Sequence, residues 1–257
     1  MATWITHLRI AESILSEFPE LVSEPFAVGN VAPDSGIPNG DWTAFDPPPT
    51  VTHFRPTHSG HDQIQDLVFY RKYIAPSSAS GTSASSFLWG YFFHLITDRY
   101  WATKVAFPSM RAFASEFATE AAFLEQAKRD WYGLDFEYLR EHAHCLFWTV
   151  FLSSSFDQDP LPFLPREALR QNIRHIKDFY RRQDEEIQRA YVERPNRYLR
   201  KQEMDAFVLD AVALLKQVRA SLLAGTVPTQ AEASVLDMEQ FSGAVLHGPD
   251  RTPETGA

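Results

Sequence analysis

The sequence predicts an all-α protein built as a single multi-helix domain. Apolar residues recur at helical spacing in several long stretches, and strand-like alternation never lasts more than a few residues. Segments rich in proline or serine separate these stretches. The chain has 257 residues, of which 44% are hydrophobic, and this is enough for one large buried core. We therefore expect about seven helices.

The first predicted helix runs from Trp4 to Phe18 and is closed by Pro19. Residues 25–60 follow it. They are rich in Pro, Gly, Asn and Asp, and they show no lasting periodicity. Because aromatic and aliphatic residues are scattered through this segment, we interpret it as a long structured loop between the first two helices. Loops of this length inside a domain are usually functional or disordered, and the aromatic residues favour the functional case.

The second predicted helix covers residues 62–73. A serine-rich connector at residues 76–86 then leads into a strongly apolar central helix, Phe87–Trp101, which its serines can cap. Four further helical segments are expected at residues 108–124, 130–152, 166–189 and 201–223. Gly225 ends the last one. Residues 1–225 form the predicted domain, and residues 226–257 form a polar tail that we expect to be mobile.

The formal net charge of −9 argues against broad, non-specific binding to nucleic acid or to anionic membranes. Cys145 is the single cysteine, so an intrachain disulfide is impossible. No apolar run reaches the roughly 18–20 residues of a membrane span. Residues 1–9 also lack the pattern of a secretory signal. These features predict a cytoplasmic protein.

The central helix carries His94 and Asp98, four residues apart, in an otherwise apolar stretch. On an α-helix this spacing places both side chains on one face. Ionisable groups in such surroundings are costly unless they are paired or bound to a metal. The pair therefore indicates either half of a metal site or a core histidine hydrogen-bonded to its neighbouring aspartate.

Other histidines and acids outside this helix extend the candidate site. His7 lies in the first helix, and Asp34 and His53 lie in the long loop, where Asp34 could instead form a turn. Together with His94 and Asp98 they offer three imidazoles and two carboxylates, a set that suits zinc or a similar metal. Five ligands exceed one tetrahedral site, so two metals could share a carboxylate. Such pairs recur in phosphoester hydrolysis.

The segments MATWITHLRIAE, GNVAPDSG, DWTAF followed by VTHF, and GYFFHLITDRYW occur in this order. In this the chain resembles the zinc-dependent phospholipase C family over roughly residues 2–105. The family is all-α, binds three zinc ions and shares its fold with single-strand-specific zinc nucleases. The resemblance implies that the aspartate of GNVAPDSG also serves as a catalytic base for the attacking water. The metal ligands that the resemblance implies are His7, Asp34, His53, His94 and Asp98.

The chain departs from the family in two ways. The secreted enzymes bind zinc through the amino group of an N-terminal tryptophan, whereas Trp4 here follows three other residues. The third zinc also needs a histidine shortly after the HxxxD motif and a later HxxxE, but this chain has Lys104 there and no HxxxE. We therefore expect one or two zinc ions and not three. Possible additional ligands or neighbours of the ligands are His58, His61 and Asp41.

The favoured function is a zinc-dependent phosphoesterase that hydrolyses a small-molecule or lipid phosphoester by metal-activated water. A nuclease on the same scaffold ranks lower, because no basic stripe interleaved with aromatic residues is present. The non-enzymatic alternative is a helical binding or scaffold protein in which a metal holds the loop in place.

Overall fold

A computed structural model describes residues 1–41, 43–76, 81–159, 161–182, 184–193, 195–227 and 232–241. Over these residues the fold is mostly helical, which confirms the all-α prediction. A two-stranded antiparallel ribbon pairs β1 (Ile37–Pro38) with β2 (Phe45–Asp46), with Ile37 opposite Asp46. In the described part of the chain, no helix is both long enough and apolar enough to span a bilayer.

Five long helices of the described chain form the body of the domain, and three of them begin at a threonine that caps the first turn. Thr3, Thr82 and Thr119 each accept a hydrogen bond from the backbone N–H three residues later. The long helices are α1 (Trp4–Glu17), α5 (Ser83–Trp101), α7 (Glu120–Glu141), α9 (Arg166–Arg181) and α11 (Lys201–Leu223).

Within the residues that the structure describes, six shorter helices connect and cover the long ones. They are α2 (Ser23–Gly29), α3 (Pro49–Thr52), α4 (Asp66–Phe69), α6 (Phe107–Phe113), α8 (Leu146–Thr149) and α10 (Glu185–Ile187). Helices α4, α5 and α10 each continue as a single π-helical turn, at Tyr70–Ile74, Ala102–Ala106 and Gln188–Val192. Such turns are uncommon and often occur near functional sites.

Helix α5 lies at the centre of the core, as its apolar sequence predicts. It is buried on nearly every side because α1, α2, α4 and α11 all pack against it. Its largest buried side chains include Phe87, Tyr91, Phe92, Phe93 and Trp101. A helix enclosed in this way needs apolar residues around its whole circumference. The two ionisable groups predicted to form the site, His94 and Asp98, are therefore deep inside the protein.

The segment predicted as a long structured loop, residues 25–60, contains two short helices that the sequence did not predict. Helix α2 occupies its beginning and α3 its later part, with a 3-10 turn at Ala32–Asp34 between them. Pro25 lies in the first turn of α2, where a proline has no hydrogen bond to break. Phe26 and Val28 are fully buried, so packing against α5 stabilises a helix too short to show periodicity.

Three other predicted helices have wrong boundaries. The segment predicted at 108–124 ends at Phe113, and Thr119 then caps α7, which runs through to Glu141. The segment predicted at 130–152 is interrupted, because α7 ends at Glu141 and α8 begins only at Leu146. At the end of α7 the ring Nδ1 of His142 is hydrogen-bonded to the Tyr138 carbonyl. The segment predicted at 166–189 ends at Arg181 in α9, and a new helix, α10, starts after Asp184. Local capping interactions set the ends of these helices, whereas the apolar periodicity continues across the breaks.

The described residues 232–241 pack onto the helical domain, which therefore continues past the predicted boundary at residue 225. Val235, Leu236 and Phe241 are buried, and the Val235 N–H donates to Oδ1 of Asp66 at 2.9 Å. Asp237 also pairs with Arg99 of α5. Three apolar anchors in a short polar stretch give no periodic signal. Residues 228–231 and 242–257 of the predicted tail lie outside the described residues.

Candidate metal centre

Four side chains from three parts of the sequence converge at the second half of α5. Each of them offers one ligand atom, and these atoms all lie within 4.8 Å of one another. The side chains are between 0% and 3% exposed. The cluster could hold a metal ion, and it consists of Asp34, His53, His94 and Asp98.

His94 and Asp98 lie on one face of α5, as their spacing predicts, with Nε2 and Oδ2 3.5 Å apart. Nδ1 of His94 lies 2.8 Å from the carbonyl oxygen of Asn30. Because a carbonyl oxygen only accepts, Nδ1 must carry the proton of this hydrogen bond. With that proton on Nδ1, the tautomer that binds a metal through the lone pair of Nε2 has this lone pair directed at the cluster.

Asp34 ends the 3-10 turn that follows α2. Its Oδ2 accepts a hydrogen bond from the indole N–H of Trp4 at 2.8 Å. Its Oδ1 faces the Nε2 atoms of His53 and His94 at 3.3 and 3.9 Å. Among the described residues this buried Oδ1 has no hydrogen-bond partner, which is costly unless a cation binds there.

His53 directly follows α3, and Thr52 lies beside its Nδ1 at 3.1 Å. The hydroxyl of Tyr91 donates to the Thr52 carbonyl and anchors this turn to α5. Nε2 of His53 faces Asp34 at 3.3 Å and Asp98 at 3.5 Å. Burial opposes its positive charge, but the two facing carboxylates outweigh this and raise the pKa of His53 to about 9. Without a metal, a proton on His53 therefore supplies the positive charge between the carboxylates.

The two carboxylate oxygens of Asp98 face different groups. Oδ1 accepts the backbone N–H of Ala2 at 2.7 Å and faces Nε2 of His7 at 3.3 Å. Oδ2 faces His53 and His94, each at 3.5 Å, and has no hydrogen-bond partner among the described residues. Burial opposes its charge, yet the positive charge of the N-terminus and then the neighbouring histidines hold the pKa of Asp98 well below its usual range. The carboxylate is thus placed to bridge two groups of ligands.

His7, on α1, lies beside the four-residue cluster and is fully buried. Its ring stacks on that of His94, with ring centroids 3.9 Å apart. Burial, and then the neighbouring His94, lower the pKa of His7 to about 4, so its ring is neutral. Neither ring nitrogen has a hydrogen-bond partner in the described part of the chain. A buried imidazole in this state is a candidate fifth ligand.

The three possible additional residues lie in different surroundings. His61 comes near the cluster, with Nε2 3.8 Å from Oδ2 of Asp98 and a side chain that is 26% exposed. Asp41 is exposed and accepts two hydrogen bonds from Thr43, so it shapes its own turn. His58 is exposed as well. Of the three, His61 alone lies at the edge of the candidate centre.

Several residues that orient the ligands were not predicted from the sequence. Trp4 was expected only as the start of the first helix and as a departure from the family's N-terminal tryptophan, and Asn30 and Thr52 were not singled out. Asn30 stands within the GNVAPDSG segment and Thr52 precedes a candidate ligand, but neither position has a pattern that indicates a contact. Their roles depend on backbone atoms and on folding, which spacing does not reveal.

Comparison with known proteins gives no assignment. No protein-family model matches the chain, and neither a curated protein nor a solved structure matches it.

Proposed function

We propose that this protein is a zinc-dependent hydrolase of phosphoester bonds. The observation that supports the proposal best is the buried cluster, in which oxygens of Asp34 and Asp98 face imidazole nitrogens and lack hydrogen-bond partners among the described residues. Mixed imidazole and carboxylate ligands suit zinc better than magnesium or calcium, which prefer oxygen alone.

The cluster supports one or two ions. His53 and His94 face Oδ2 of Asp98, and with Asp34 they complete a group of four that could hold one ion. Oδ1 of Asp98 points instead to His7, whose ring nitrogens are otherwise unpartnered in the described structure. A second ion on that side would share Asp98 with the first. Carboxylate-bridged pairs are a recurring arrangement in phosphoesterases.

The chemistry follows from the nature of these groups. Zinc held here would polarise phosphoryl oxygens and make water a stronger nucleophile near neutral pH. Asp34 is the candidate residue that accepts the proton of the attacking water. The buried surroundings strengthen electrostatic interactions at the site. The partly exposed His61 marks the side from which a substrate would reach it.

The sequence motifs support the phospholipase C type of fold and activity. They contain all five proposed ligands in the order found in that family, and the structure gathers four of the five into one cluster. We therefore propose a small-molecule or lipid phosphoester as the substrate. The nearly complete burial of the cluster favours one alternative, a scaffold protein in which the ion only ties α1, α5 and the segment after α2 together.

The test combines metal analysis with a substrate screen. Zinc-loaded protein is incubated with p-nitrophenyl phosphate, bis(p-nitrophenyl) phosphate, phosphatidylcholine vesicles and single-stranded DNA, with and without chelator. We expect hydrolysis of a phosphoester that the chelator abolishes, that added zinc restores, and that Asp98→Asn lacks. Asp41→Asn, an exposed carboxylate outside the cluster, is the matched control and should keep full activity.

Each other outcome separates the alternatives. Cleavage of DNA in preference to the other substrates would replace the phospholipase type with a nuclease. Tightly bound zinc without hydrolysis of any substrate would overturn the proposed enzymatic function. It would support the scaffold protein instead, especially if chelation lowers the melting temperature.

A further inference from the structure

Trp4 connects the first turn of α1 with the candidate metal centre. Its indole N–H donates to Oδ2 of Asp34 at 2.8 Å. The other oxygen of that carboxylate, Oδ1, faces His53 and His94 inside the cluster. Asp34 therefore has one oxygen on the indole and the other oxygen directed at the candidate cation position.

We propose that Trp4 is a positioning residue for the cation site, because its indole holds the Asp34 carboxylate with Oδ1 turned inwards. Asp34 lies on a short 3-10 turn, where its side chain could otherwise adopt several orientations. Fixing one orientation before the ion arrives reduces the entropy lost on binding. Hydrogen-bond partners of ligating groups commonly change metal affinity or activity by about 10–100-fold. The inference depends on cation binding and does not depend on hydrolysis.

The indole is itself held firmly, which gives its N–H a fixed direction. Its ring meets those of His175, Phe179 and Tyr180 edge-on, with centroids 5.5–6.3 Å apart. The preceding residue, Thr3, caps α1 and donates to Oδ1 of Asp135 at 2.7 Å. The start of α1 is thereby anchored to α7 and α9, and the Trp4 donor is part of a rigid support.

The test is the affinity for zinc alone, measured by competition with a chromogenic chelator. Trp4→Phe keeps an aromatic ring and removes the donor, and we expect it to weaken zinc binding about tenfold. Trp148→Phe is the matched control, because that half-buried indole donates to the Leu139 carbonyl at 3.0 Å and takes no part in the cluster. It should leave zinc affinity within about twofold of the wild type.

A double-mutant cycle separates positioning from general damage. In the Asp34→Ala background the indole has no side-chain acceptor to orient, so Trp4→Phe should weaken zinc binding by less than about twofold. An equal loss in both backgrounds, or no loss in the wild-type background, would overturn the proposal. If Trp4→Phe fails to fold, benzothienylalanine incorporated at position 4 keeps the ring shape without the N–H, and the same two results apply to it. Because no substrate is used, these results are independent of whether the protein hydrolyses phosphoesters.

Discussion

Gly29 and Gly90 meet backbone to backbone where α2 crosses α5. A methyl group at position 90 would lie 2.3 Å from the Phe26 carbonyl oxygen, and one at position 29 would lie 2.2 Å from the Phe87 carbonyl oxygen. Asn30, the next residue after α2, is thereby placed so that its carbonyl binds Nδ1 of His94. The close crossing thus fixes the ring orientation of a candidate metal ligand.

Gly90→Ala should destabilise the protein and weaken metal binding. The added methyl group meets a backbone carbonyl, which moves less readily than a side chain. We expect a net loss on the order of 2 kcal/mol in the free energy of unfolding, after subtracting the gain in helix propensity. Denaturant unfolding measures it. Gly40→Ala, at an exposed position with nothing within 4 Å of the added carbon, should change stability by less than about 0.5 kcal/mol. Equal stability of the two variants would contradict the close crossing.

Asp98→Asn should reduce bound zinc to background in elemental analysis of the purified protein. Asn keeps the size of the side chain but removes the negative charge that faces His7, His53 and His94. The wild type and Asp41→Asn should both retain one or two ions per chain. Retention of zinc by Asp98→Asn would show that the ion binds elsewhere.

Zinc affinity should rise with pH between about 6 and 9. The pKa of His53 is about 9 in the metal-free protein, so below that pH its imidazole carries a proton that zinc must displace. One displaced proton makes binding about tenfold weaker for each unit of decreasing pH. Calorimetry at pH 7 in buffers of different ionisation enthalpy should show about one proton released from this residue. An affinity that is independent of pH would rule out this protonated state.

Asp135→Asn should gain stability relative to the wild type as the pH rises from 5 to 8. Burial raises the pKa of Asp135 to about 7, against the lowering effect of hydrogen bonds from Tyr180 and Thr3. The folded state then binds a proton more tightly than the unfolded state, whose carboxyl has a pKa near 3.8. The protonated acid therefore contributes stability at low pH that is lost as the pH rises through about 7.

Melting temperatures of both proteins across this range test the Asp135 prediction. The melting temperature of the Asn variant minus that of the wild type should increase with pH. The same difference for Asp159→Asn, at an exposed carboxylate, should stay constant. A constant difference for Asp135→Asn as well would show that this carboxyl is ionised throughout.

The sequence predicted those parts of the fold that a long periodic pattern encodes. Helices α1, α5 and α11 lie close to where their apolar spacing placed them. Short elements such as α2 were missed, because packing against α5 stabilises them and their own sequence does not. The breaks at Thr119 and His142 were missed because single caps outweigh a continuing apolar pattern.

The candidate site, like the fold, could be predicted only in part from the sequence. His94 and Asp98 could be placed together from the sequence, since four residues make one turn of a helix. His7, Asp34 and His53 were linked to them by residue type and motif order, and the structure places all three within 4 Å of a ligand atom of this pair. The spacing of residues in the sequence could not distinguish these buried histidines from His58, which is exposed.

The sequence by itself determined the helical class, the buried central helix and the pair of ionisable residues on one of its faces. These follow from local periodicity, which the backbone geometry of one helix converts directly into neighbouring side chains. Only the tertiary structure decided that Trp4 holds Asp34 and that Asn30 orients His94. Those contacts join residues 30 and 64 positions apart, and such distances are bridged by the packing of α1 and α2 on α5, which no local pattern encodes.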